Sequence, residues 1–187
     1  MIPPVPDDLP TRSIAETGDA RLIAAYGYWR SLVPPGADMP PAQVFAPEGL
    51  PRGVVPHLAL VGGFEPGDRL RIQFVGTVAG MLGGADGTGR YVDEVYPRQM
   101  ADLIVHICHR IERARRPLIG FYAVGMEGEV LIRTTRLHLP LAGPDGRVGG
   151  FAKVFVYEPT DAGRRLRARV LQPGMDVMGM DLAFAGL

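Results

Sequence analysis

Twenty-five glycines and 18 prolines cut this chain of 187 residues into short pieces, a pattern that favours strands and short helices over a long helical bundle. Seven of the prolines fall between 34 and 56, too many for regular structure. That stretch is predicted to be a long connection running over the surface or around the core. Apolar residues make up 47%, enough for a core, and the length suits one domain with extensions. Lys plus Arg equals Asp plus Glu at 20 each, a balance that gives no support to nucleic-acid binding. The single cysteine, Cys108, cannot form an internal disulfide, so stability must come from packing. Residues 1–10 carry acids and prolines in place of a basic start and an apolar run, and no stretch approaches the ~18–20 apolar residues of a membrane span. A cytoplasmic location without a membrane span is expected.

The elements follow from the spacing of apolar residues. Residues 1–18 read as an extended arm. A helix is predicted over 19–33, with Asp19 as its cap and Leu22, Ala25, Tyr26, Trp29, Leu32 and Val33 on one face, stopped by Pro34 and Pro35. After the connection 34–56, residues 58–64 and 69–75 read as a hairpin around Pro66-Gly67-Asp68. In its second strand Leu70, Ile72 and Phe74 alternate with Arg69, Arg71 and Gln73. The glycine-rich segment 76–95 holds short helical turns. A long helix over 97–115 carries the stripe Met100, Leu103, Ile104, Ile107, Cys108 and Ile111, with Pro97 at its start and arginines at its end. Three strands, 118–126, 129–141 and 148–157, form an antiparallel meander, and the last is apolar on both faces, which places it inside a sheet. Residues 160–187 read as a tail bearing Arg164, Arg165, Arg167 and Arg169 and then Met175, Met178 and Met180; solvated arginines are the commonest meaning of such a run. The domain proper is thus expected to span 19–159.

This order of helix, two strands, short turns, long helix and three strands is similar to that of PAS domains. Several ordered pieces narrow the likeness: Tyr28-Trp29-Arg30-Ser31-Leu32, Pro56-His57-Leu58-Ala59-Leu60, Val75-Gly76-Thr77, Asp86-Gly87-Thr88-Gly89-Arg90, Pro117, Leu139-Pro140-Leu141 and Asp145-Gly146. Spanning about 22–158, they resemble a family of single-domain PAS-like proteins, mostly alphaproteobacterial, formerly catalogued as a domain of unknown function. The resemblance implies an α+β fold: a five-stranded antiparallel sheet, short helices, one long helix on one face and an N-terminal helix. One departure is Gln43, where the family pattern commonly has an arginine; a ligand or partner contact made by that arginine is lost or changed here.

Catalytic and metal constellations do not assemble from the sequence. His106 and His109 share a helical face, but Cys108 belongs to the apolar stripe, and His57 and His138 stand alone, so no converging tetrahedral set is predicted. The same histidines point away from the stripe, which disfavours haem. The segment 76–95 lacks the cysteine a covalent flavin would need. Gly83 to Gly89 has neither the Gly-Lys-Ser/Thr of a phosphate loop nor a strand–turn–helix context, and Ser13 and Ser31 lie in no nucleophile elbow.

The expected function is therefore a sensory or regulatory module acting by protein–protein contact, not an enzyme. A small apolar ligand is expected in a pocket formed by Phe74, Met81, Leu82, Leu103, Ile104 and Ile107, its identity unknown. A ligand-free scaffold is the alternative; a closed core without a cavity would favour it, whereas a buried polar cluster with displaced pKa values would favour an enzyme. The expected partners are a second copy of the chain, docked through Tyr26 and Trp29 as aromatic anchors, and a separate signalling protein such as a histidine kinase.

Overall fold

The computed structural model describes residues 8–81, 87–165 and 176–186. Three strands form a meander through two turns: β4 (Leu118–Met126), β5 (Glu129–Ala142) and β6 (Val148–Pro159). The first turn is closed by Glu127 and Gly128 at φ 52° and 84°, the left-handed pair that matches the twist of a two-residue hairpin. A second hairpin, β2 (Leu58–Glu65) and β3 (Arg69–Val75), turns at Gly67 and Asp68, again with positive φ. It joins the meander because β2 pairs with β6.

The sheet corrects the fold expected from the sequence. It has seven strands, not five, and it is mixed: β1 (Thr11–Ser13) runs parallel to β7 (Asp176–Gly186), and the other neighbours are antiparallel. The order is β1-β7-β4-β5-β6-β2-β3. The two added strands come from the stretches read as arm and tail. β7 lacks a clean apolar–polar alternation because glycine and methionine interrupt it, yet Val177, Leu182, Ala183 and Ala185 are buried and the strand covers the open edge of β4. β1 in turn blunts the edge of β7 with three residues, a short edge strand of the kind that resists further pairing. As its two apolar faces require, β6 lies inside the sheet, between β5 and β2.

Both faces of the sheet are covered. On one lies α4 (Arg98–Ala114), which turns Met100, Leu103, Ile107, Cys108 and Ile111 inward and ends at Arg115, a left-handed cap whose N–H donates to the Ile111 carbonyl at 2.7 Å. Two short helices, α2 (Thr77–Met81) and α3 (Val92–Val95), sit between β3 and α4 in the chain. The opposite face carries Leu137, Leu139, Ala152 and Val154, all fully buried; α1 (Ala20–Ser31) and the proline-rich connection supply its cover through Leu22, Trp29, Met39, Phe45 and Val54. Asp19 caps α1 by accepting from the N–H groups of Arg21 and Leu22. Trp29 ties this helix to the sheet, donating Nε1–H to the Pro140 carbonyl at 2.7 Å. Trp29→Phe removes the N–H donor to that buried carbonyl together with the pyrrole half of the indole. A loss of about 1–2 kcal/mol in urea unfolding is expected.

Among the described residues no helix is long and apolar enough to cross a membrane. Beyond β6, α5 (Asp161–Arg165) holds Arg164 in an ion pair with Asp161; Arg167, Arg169 and Met175 lie outside the described residues.

Candidate functional site

Strand pairing brings a set of polar side chains onto the face beneath α4. Directly opposed pairs share a face, so Arg136 with Phe155, His138 with Lys153 and Thr134 with Tyr157 line up across β5 and β6, while Tyr122 on β4 stands opposite Thr134. In a sheet covered on both sides, these side chains are enclosed. Arg136, His138 and Lys153 are 6%, 3% and 4% exposed.

They line a cavity of about 50 Å³ between the sheet and the helices. Its polar wall is formed by Arg136 and His138 from β5, Lys153 and Tyr157 from β6, and Tyr96 just beyond α3. The rest of the lining is apolar: Ala59 and Val61 from β2 and Ile72 and Val75 from β3 continue the same sheet face, with Ala59 directly beside Lys153, and Ala79 from α2 and Met100 and Ile104 from α4 complete it. That volume exceeds the ~10–15 Å³ that one water needs.

The polar wall is short of partners. Among the described residues no ion pair to Arg136 or Lys153 occurs and no Asp or Glu lines the cavity. Arg136 Nε, both ring nitrogens of His138, the hydroxyls of Tyr122 and Tyr157, and Thr134 Oγ1 are buried without a hydrogen-bond partner among the described residues. Lys153 donates from Nζ to Cys108 Sγ at 3.2 Å, and the same nitrogen lies 5.8 Å from the Phe151 ring centre. Stacking positions Arg136: its guanidinium carbon lies 4.4 Å from the Tyr122 ring centre and 5.7 Å from that of Phe155. Gly120 makes this possible, because a Cβ there would stand 2.5 Å from the Tyr122 ring.

These surroundings displace several titrations. Burial, reinforced by Lys153 and then Arg136, pushes His138 well below the usual imidazole value, so the ring is neutral at pH 7. Burial also raises the Tyr157 and Tyr96 hydroxyls, and pushes Tyr122 up to about 12, against an opposing pull from Arg136. The Cys108 thiol is raised by burial, with Lys153 pulling the other way.

Of the six residues expected to form the pocket, only Ile104 lines this cavity. Phe74 is turned away by a bulge. β2 pairs Leu60 with Phe74 but Val61 with Ile72, so the register slips by one residue, and Val75 instead of Phe74 joins Ile72 on the cavity side. Leu103 and Ile107 are buried in the core elsewhere along α4. Leu82 and the side chain of Met81 lie outside the described residues. The anchors expected at a dimer interface are occupied within the chain: Tyr26 and Trp29 are 4% and 2% exposed, their rings tilted at 33° with centres 5.9 Å apart and packed toward their own sheet.

The histidines are dispersed. His57 bonds the Phe155 carbonyl and Arg21, His109 stacks on Phe64 between Asp68 and Glu112, and His106 is exposed. No group of three potential metal ligands occurs among the described residues. Gly87 to Arg90 forms a turn bonded to β3 through the Ile72 N–H and C=O, and Gln43 is exposed in the proline-rich connection.

Compared with known proteins, the chain matches no family model and no curated protein. The chemistry of the cavity is therefore the main guide to what it does.

Proposed function

We propose that this chain is a regulatory module that binds a small amphipathic molecule between the sheet and α4 and passes the event on by protein–protein contact. The supporting observation is a cavity lined by apolar side chains and by buried polar groups that lack partners among the described residues. A closed scaffold would have filled that volume with its own side chains. Buried polar groups without partners are costly, and a guest that satisfies them offsets the cost. Ligand entry would act on α2, α3 and α4 together, since each contributes to the lining. It changes the partner surface only if the ligand binds two arrangements of these helices with different affinity.

Native mass spectrometry of freshly purified protein tests this reading. A retained small-molecule mass is expected, and Ile104→Trp, which fills the cavity from the α4 side, is expected to abolish it while the far-ultraviolet circular dichroism stays unchanged. The reading fails if no mass is retained and a panel of small acids and neutral analogues leaves the melting temperature unmoved.

The displaced titrations of His138, Tyr122 and Tyr157 are the feature an enzyme site would also show. Against that reading, no described carboxylate orients His138, and neither ring nitrogen lies within reach of a hydroxyl or thiol that it would activate. Chemical conversion of a bound ligand during incubation would favour the enzyme.

A further inference from the structure

The cavity holds two cationic side chains and, among the described residues, no anion, and we infer that its ligand is a small carboxylic acid, its carboxylate held by Arg136 and Lys153 and its body against the apolar part of the lining. This inference rests on the reading of the cavity as a ligand site and names the class of ligand.

Charge is the first ground. A buried cation is tolerated when an opposite charge or a full set of acceptors compensates it. Arg136 and Lys153 occupy neighbouring cross-strand positions on β5 and β6 with His138 between them in register, yet neither meets a carboxylate among the described residues. Lys153 has only a thiol as acceptor, and sulfur accepts weakly. The missing component of this arrangement is negative charge.

Geometry is the second ground. A guanidinium donates in a planar fork that matches the two oxygens of a carboxylate. Arg136 is fixed by the rings of Tyr122 and Phe155 before any ligand arrives, so little side-chain freedom is lost on binding. The Tyr157 hydroxyl, buried and unpartnered on the same wall, is a further donor.

Apolar surface is the third ground. Val61, Ile72, Val75 and Ile104 line the cavity together with the cations, so the charge must be joined to an apolar body. Inorganic phosphate or chloride has no such body. A cavity of about 50 Å³, room for roughly four waters, suits an acid of two or three carbons.

The experiment compares acetate with acetamide, and propionate with propionamide, by ligand-observed NMR on the full chain at pH 7.5, with sodium chloride and sodium phosphate as further arms. Each acid is expected to bind at least about tenfold tighter than its amide, as a charge-assisted pair requires. Lys153→Met and Arg136→Met should each weaken the acids about tenfold or more and leave the amides within about threefold. The amides serve as the internal control that each variant is folded and its cavity intact. Equal binding of acids and amides would overturn the carboxylate inference while keeping the cavity as a ligand site. So would displacement of the acids by phosphate or chloride at matching concentration, which would make the site one for inorganic anions. Binding of neither acids nor amides, with Ile104→Trp behaving as the wild type, would overturn both readings.

Discussion

Lys153→Met is expected to raise the unfolding free energy of the ligand-free protein by about 1–3 kcal/mol. Most substitutions of residues this deeply buried work the other way: truncating Ile107, 2% exposed in the same core, to alanine should cost about 2–5 kcal/mol. Lys153 differs because folding strips its ammonium group of water and returns one bond to a thiol. Replacing buried ionic groups by apolar side chains of similar volume is commonly neutral or stabilising by about 1–4 kcal/mol, and here the charge lacks an opposite partner to begin with. Methionine keeps an unbranched stem of similar length and adapts to the surrounding packing. It also removes the repulsion between Lys153 and Arg136 on the neighbouring strand. The measurement is urea unfolding at pH 7.5, after the protein has been unfolded and refolded to strip any bound small molecule. Arg136→Met should move the midpoint in the same direction. A drop of more than about 1 kcal/mol for Lys153→Met would mean that the Lys153–Cys108 contact is a tie between β6 and α4, not part of a site held open at the expense of stability.

That row of cations was open to inspection in the sequence. Residues 148–157 read as apolar on both faces, and such a strand belongs inside a sheet; Lys153 stands in the middle of it. A charged residue in a strand covered on both sides must be buried. Thr134, Arg136 and His138 carry the same message in β5, alternating with Thr135, Leu137 and Leu139. Without the register that sets His138 opposite Lys153, however, each looks like an isolated surface residue. Local pattern did locate most elements closely. The strands β3 and β4 begin and end where alternation and the Glu127-Gly128 turn put them, and the α4 stripe faces inward as its spacing required. Two kinds of information were missing. A bulge leaves no mark in a strand's own composition: Leu70, Ile72 and Phe74 alternate cleanly, yet a slip in pairing with β2 sends Phe74 to the other face. Long-range pairing was the other gap. Thr11–Ser13 and Asp176–Gly186 are strands because the edge of β4 needs a neighbour, and their own residues give little sign of it.

The stability of the protein should form a plateau between about pH 6.5 and pH 10 and fall on both sides. On the acid side the cause is His138. Its ring is buried beside Lys153 and Arg136, with Tyr96 and Tyr157 on the same cavity and Cys108 in contact with Lys153, so no anionic group among the described residues favours the imidazolium. The folded protein therefore binds this proton well below the usual imidazole value, whereas the unfolded chain binds it near pH 6.5. Between those two values the unfolded state holds more protons, so the unfolding free energy decreases as pH falls, by up to about 1.4 kcal/mol per pH unit. From pH 7.5 to pH 5 the loss from this group is at most about 2 kcal/mol. Above pH 6.5 neither state is protonated and the full stability is present. On the alkaline side the sign reverses through the tyrosines. Tyr122, pushed up to about 12, together with Tyr157 and Tyr96, keeps its proton in the fold after the unfolded chain has lost it near pH 10. Stability present below pH 10 is then lost as pH rises further. Urea midpoints measured from pH 5 to pH 11 check both limbs. His138→Leu removes the ionisable ring without adding an unpaired polar atom, and should flatten the limb between pH 5 and 6.5 while leaving the alkaline limb in place. A wild-type midpoint that stays level from pH 7.5 to pH 5 would show that His138 finds an acceptor for its second proton. The field of Arg136 and Lys153 would then be compensated within the protein, and the cavity would have no call for an anion.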